Sequence, residues 1–118
     1  MLDDCPFCLP NGLLRGEILA ETDAGFLIKN ETFPECYLIV PKNHTEAITG
    51  LPDDWWFDFK RLVAQLPQQP ESFNLSLNFG KAAGQTVEHL HFWIVPRRND
   101  QPSAGKGLAT LIRLHNLS

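Results

Sequence analysis

The feature that constrains this chain most is the run Gln85-Thr86-Val87-Glu88-His89-Leu90-His91-Phe92-Trp93-Ile94-Val95-Pro96-Arg97. Through its middle, Leu90, Phe92 and Ile94 alternate with His89, His91 and Trp93. A β-strand sends successive side chains to opposite faces, so the even set is expected in a core and the odd set on the other face. Two of the four histidines then share one rigid element, and Trp93 extends their face with an indole N–H. A half-buried strand with two surface histidines has the same alternation. The flanks point elsewhere, because Gly84-Gln85-Thr86 leads in and Pro96-Arg97-Arg98 leads out.

A chain of 118 residues fits one compact domain, 1–118, with no repeat. Its 43% hydrophobic and 20% charged residues have the balance of a globular protein. No apolar run is long enough to span a membrane. The acidic start Met1-Leu2-Asp3-Asp4 lacks the apolar core of a secretory signal, so a cytoplasmic protein without membrane contact is expected. A net charge of −4 offers no basic footprint for nucleic acid. A phosphate ligand has to be met by local groups.

Cys5-Pro-Phe-Cys8 is either a metal half-site or a redox pair in a reducing compartment. A redox CxxC needs a helix N-terminus after a strand to lower the thiol pKa. Nothing strand-like precedes it and Pro10-Asn11-Gly12 follows, so half of a zinc site is the better reading. Cys36 reads as a buried small residue.

Residues 15–21 and 26–29 form a hairpin around Thr22-Asp23-Ala24-Gly25. Tyr37-Leu38-Ile39-Val40, closed by Pro41, is a buried strand, and Lys42-Asn43-His44 follows it directly. Thr45 can cap a short helical turn to Gly50. The main helix starts at Pro52, carries Asp53 and Asp54 at its positive end, and stops at Pro67. Trp55, Phe59, Leu62, Val63 and Leu66 make its apolar face. Residues 73–79 alternate as a strand, with Phe73, Leu75, Leu77 and Phe79 facing a core and Asn74, Ser76 and Asn78 facing the histidines. Small residues from Gly80 to Gly84 allow backbone N–H groups to approach an anion. Lys81, Arg97 and Arg98 offer charge. Residues 108–116, with His115, fit a short closing helix. The expected fold class is α+β: an antiparallel sheet of about five strands with one main helix.

The pattern resembles the histidine triad superfamily of nucleotidyl hydrolases and transferases. Its signature is His-x-His-x-His followed by apolar residues and often Pro-Arg. The signature strand, 85–97, matches except at the third histidine, which is Trp93. Leu38-Ile39-Val40-Pro41-Lys42-Asn43-His44 resembles the family's strand ending in Pro-Lys-x-His. Leu77-Asn78-Phe79-Gly80, followed by Gly84-Gln85-Thr86, is also similar. Together with Cys5-Pro-Phe-Cys8, these fragments stand in the family's order and span residues 5 to about 98.

The resemblance implies several further expectations. In zinc-containing members an N-terminal CxxC joins the Pro-Lys-x-His histidine and the first triad histidine. Here those are Cys5, Cys8, His44 and His89, a closed Cys2His2 set suited to structural zinc. His91 corresponds to the nucleophile that attacks the α-phosphorus and carries a covalent nucleotidyl group. Asn78, Gln85 and Thr86 match positions that contact phosphate or ribose, and Asn30 is the nearest candidate for a ribose contact. The resemblance also implies a homodimer. Trp93 departs from the pattern: it keeps a hydrogen-bond donor but adds bulk and cannot transfer a proton. Two readings therefore stand. One is a hydrolase or nucleotidyl transferase acting on a nucleotide derivative or dinucleoside polyphosphate. The other is a nucleotide- or partner-binding module without catalysis.

Overall fold

In a computed structural model of the protein, residues 17–30, 36–85, 89–101 and 104–107 are described. The expected closing helix over 108–116, with His115, lies outside them, as do Cys5, Cys8 and Thr86. Five strands are assigned: β1 (Ile18–Glu21), β2 (Gly25–Lys29), β3 (Tyr37–Pro41), β4 (Ser72–Leu77) and β5 (Phe92–Arg97). They form one antiparallel sheet in the order β1-β2-β3-β5-β4. One main helix, α1 (Trp55–Val63), joins β3 to β4, and 3-10 turns occupy Ile48–Gly50 and Lys81–Ala83. This is the expected architecture.

The β1–β2 hairpin turns where the sequence places it. Thr22 N–H donates to the Gly25 carbonyl at 2.8 Å, and Gly25 N–H donates to Thr22 Oγ1 at 3.2 Å. Gly25 is required by what lies above it. A Cβ there would stand 2.8 Å from the Trp55 ring and 2.9 Å from the Val40 carbonyl.

The registers assemble two rows across the sheet. Leu27, Ile39, Phe92 and Leu77 share one face, and Ile28, Leu38, Trp93 and Ser76 share the other. Trp55, Phe59 and Leu62 of α1 fall at i, i+4 and i+7, so one buried stripe covers the first face. Trp55 stacks on Phe92 with centroids 6.1 Å apart, and Phe59 meets Phe92 edge-on at 5.3 Å. Burying each such side chain contributes about 1.5–3 kcal/mol.

Four expectations need correction. The histidine face is not simply polar, because Phe26, Ile28, Leu38 and Val40 are buried on it. The regular helix begins at Trp55 and ends at Val63 rather than running from Pro52 to Pro67. Past Val63 the chain tightens into i+3 bonds, Gln65 to Leu62 and Leu66 to Val63. Gln69 Nε2 then caps the Ala64 and Leu66 carbonyls at 2.8 Å each, which holds Gln69 at φ 42°. The turn before Gly50 covers only Ile48–Gly50, and the Thr45 hydroxyl bonds the Ala47 carbonyl instead of capping it. Finally, the apolar side chains expected in the core over residues 73–79 are not all there: Phe73, Leu75 and Phe79 are exposed. β4 is an edge strand, and α1 lies over β2 and reaches only as far as Phe92.

Candidate active site

His89 and His91 stand just before β5, and the expected strand is regular only from Phe92. His89 is fully buried and His91 nearly so. Each ring is oriented by a main-chain carbonyl. His89 Nε2 lies 2.7 Å from the Pro41 oxygen, and His91 Nδ1 lies 2.8 Å from the His89 oxygen. A carbonyl only accepts, so both ring nitrogens donate. His91 therefore keeps its lone pair on Nε2. Burial lowers the pKa of both groups, against the opposing pull of these carbonyl bonds. His89 is brought down to about 4, with the charges of His44 and His91 adding to the effect of burial. Burial thus favours the neutral imidazole of His91, the form that keeps a free lone pair on a ring nitrogen.

Trp93 continues the same face. Its ring centroid is 6.2 Å from that of His91 at a tilt of 58°, and it is half-buried. On β5 it is flanked by Leu38 of β3 and Ser76 of β4. Asn78 directly follows the last pair of β4 with β5, Leu77–Phe92, as His91 directly precedes it. Asn78 is half-buried in the loop after β4.

That loop is closed by Gln85. Gly80 N–H donates to Gln85 Oε1 at 2.8 Å, and Gln85 N–H returns to the Gly80 carbonyl at 3.1 Å. Gly80 and Gly84, at φ 87° and 94°, supply the left-handed backbone that the closure needs. The Nε2 of Gln85 is buried and has no hydrogen-bond partner among the described residues. It is a donor available to a ligand. The expected cradle of loop N–H groups is largely consumed internally, because those of Gly80, Ala83, Gly84 and Gln85 all bond within the loop.

His44 follows β3, with its ring edge-on to His89 at a centroid distance of 4.9 Å. Its Nε2 lies 4.0 Å from Glu46 Oε1. The carbonyl bond at His89 Nε2 leaves Nδ1 as its donor atom for a metal, the usual outer-shell arrangement of a ligating histidine. Two adjacent imidazoles fit half of a Cys2His2 set. Among the described residues no group of three or more His, Cys, Asp or Glu stands together for a metal, and Cys5 and Cys8 lie outside them.

Other expected residues stand apart from His91. Asn30 is buried after β2, its N–H bonded to the Cys36 carbonyl at 3.0 Å. It lies on the His91 face by register but about 13 Å further along the strand direction. Arg97 ends β5, about 20 Å along the strand from His91, and donates to Asn74 Oδ1 at 2.6 Å. Arg98 pairs with Asp100 at 3.2 Å. Neither arginine supplies charge at the histidines. The orienting carbonyls of Pro41 and His89 escaped the sequence reading, since main-chain acceptors leave no residue signature.

The chain resembles known proteins over most of its length. The HIT domain family model matches residues 20–100. The chain is 33% identical over 111 residues to an adenosine 5'-monophosphoramidase of Schizosaccharomyces pombe, covering 87% of this chain and 81% of that protein. It is 28% identical over 92 residues to a bis(5'-adenosyl)-triphosphatase of Dictyostelium discoideum, covering 71% and 62% of the two chains. A hypothetical protein from Leishmania major shares the fold, with a TM-score of 0.69 at 22% identity over 99% of this chain and 94% of that one. By the match of its family model and the identity to its relatives, the chain belongs to the HIT family.

Proposed function

We propose that the protein is a hydrolase or nucleotidyl transferase that cleaves nucleotide derivatives or dinucleoside polyphosphates at the α-phosphate through His91. The observation that carries this reading is the bond from His91 Nδ1 to the His89 carbonyl. It fixes the tautomer, so Nε2 meets phosphorus with a free lone pair. Nε2 forms a bond to phosphorus as the leaving group departs, giving a nucleotidyl-histidine that water or another acceptor resolves. Asn78, Thr86, Trp93 and the Nε2 of Gln85 are proposed to donate to the phosphate oxygens, and Asn30 to contact the nucleoside. The names of the Schizosaccharomyces and Dictyostelium relatives support a nucleotide-derivative substrate.

A structural zinc on Cys5, Cys8, His44 and His89 belongs to the same proposal. Its support is the edge-on pair of His44 and His89 and the carbonyl-bound Nε2 of His89. When bound, the metal would staple the N-terminal segment beside β3 and take no part in the bond-making step. A homodimer is proposed as well, supported by the edge position of β4 and the exposed Phe73 and Leu75. Among the described residues no helix is long and apolar enough to cross a membrane. A cytoplasmic location is proposed on the character of the sequence.

One observation favours a second reading. Trp93 stands where a proton-transferring side chain would assist departure, so a binding module without turnover would keep the same pocket. The test is turnover of a nucleotide-derivative panel by wild type and His91→Ala. Turnover lost in the variant supports the enzyme. Nucleotide binding without turnover in wild type supports the module.

A further inference from the structure

If His91 is the nucleophile of the proposed function, the side chains around it decide which leaving groups can depart. The register puts Trp93 beside it on β5, flanked by Leu38 and Ser76. Val40 and Asn78 each stand one residue past the pairs that Ile39 and Leu77 make with Phe92, as His91 stands one residue before Phe92. None of these five side chains is an acid or an imidazole. The protons of both nearby imidazoles point to main-chain carbonyls, that of His91 to His89 and that of His89 to Pro41. The indole of Trp93 can donate a hydrogen bond but keeps its proton.

We infer that this site is selective for substrates whose leaving group departs as a stable anion, phosphoric anhydrides above all, and discriminates against phosphoramidates and alkyl or simple aryl esters. Nε2 of His91 forms the N–P bond as the P–O bond of the anhydride breaks, and its electron pair leaves with the phosphate oxygen. The departing phosphate needs no proton at neutral pH. Water then attacks phosphorus, the P–N bond breaks with its pair returning to Nε2, and the proton of the water passes to solvent. An amine or alkoxide leaving group would need a proton at the first step, and among the described residues none of these flanking side chains is an acid that gives one.

The experiment holds the adenosine 5'-phosphoryl group constant and varies what leaves. Diadenosine triphosphate and the p-nitrophenyl ester of AMP are compared with the phenyl ester and adenosine 5'-phosphoramidate. Wild type should turn over the first two, with kcat/KM for the last two lower by roughly 10²–10⁴-fold, the usual contribution of general-acid assistance. Trp93→His should raise the last two relative to diadenosine triphosphate by a similar factor, whatever it does to the rate with diadenosine triphosphate itself. Trp93→Gln, which opens space and donates without transferring a proton, should not. The inference is overturned if wild type cleaves the phosphoramidate as well as the anhydride through His91, or if Trp93→Gln reproduces Trp93→His. Absence of both turnover and adduct with every substrate would overturn the nucleophile reading and this inference with it. The wild-type ratios decide alone if either variant does not fold.

Discussion

His91 donates its Nδ1 proton to the carbonyl of His89 at 2.8 Å, while the His89 ring donates to the carbonyl of Pro41 at 2.7 Å. The two bonds form a relay of orientation rather than of protons. The end of β3 holds His89, and the backbone of His89 holds the His91 ring. Removing one ring therefore has different consequences from removing the other: His91 is replaceable without disturbing β3, whereas His89 bridges the β3 end and the entry to β5.

The Gly80–Gln85 closure predicts a separable effect on the loop. Gln85→Leu leaves the half-buried Gly80 N–H without its acceptor, a loss of about 1 kcal/mol. Hydrogen exchange at Gly80 should quicken and nucleotide affinity should fall by about tenfold, which corresponds to about 1.4 kcal/mol. Gln85→Glu keeps the acceptor oxygen and should keep the slow exchange. Unchanged exchange in Gln85→Leu would show that the side chain does not close the loop.

Gly25 predicts a purely structural cost. In Gly25→Ala the new methyl meets the Trp55 ring and the Val40 carbonyl, both held in the packed core. Overpacking of this kind costs about 1–3 kcal/mol, so thermal denaturation should shift down by about 4–12 °C. Gly107→Ala, where no described residue lies within 4 Å of the added carbon, should leave the midpoint in place. Equal midpoints for the two variants would contradict the close approach of Trp55.

Zinc content tests the proposed metal set. Protein purified without chelator should carry about one zinc per chain. Cys8→Ser and His44→Ala should each lower both that content and the thermal midpoint, because a structural metal contributes directly to folding. Wild-type protein with far less than one zinc per chain would rule out the Cys2His2 proposal.

The exposed edge of the sheet predicts self-association. Wild type should sediment at twice the 13.3 kDa chain mass, and Leu75→Glu, which puts a charge on the uncovered side of β4, should sediment as a folded monomer. A wild-type monomer would remove the dimer proposal.

How much of this was legible in the sequence follows from where each signal is written. The alternation around Leu90, Phe92 and Ile94 and the i, i+4, i+7 stripe of Trp55, Phe59 and Leu62 are local, and both appear in the fold as expected. Strand order is not local. Phe73, Leu75 and Leu77 alternate as cleanly as a core strand, but β4 takes the edge and α1 leaves it partly uncovered. Arg97 follows the histidines closely in sequence, yet an extended strand carries it to the far end of the sheet. The Gly80–Gln85 closure had a cue in the two flanking glycines. The carbonyls of Pro41 and His89 had none, since every residue type carries that acceptor.

The most direct test of the account is the intact mass of the protein after brief mixing with diadenosine triphosphate. The quench is denaturant at alkaline pH, because the nitrogen–phosphorus bond is labile to acid. Wild type should gain the mass of one adenylyl group, localised by fragmentation to His91, and His91→Ala should gain none while still binding nucleotide. An adenylyl group retained in His91→Ala, or mapped to another residue in wild type, would contradict the assignment of His91 as the nucleophile.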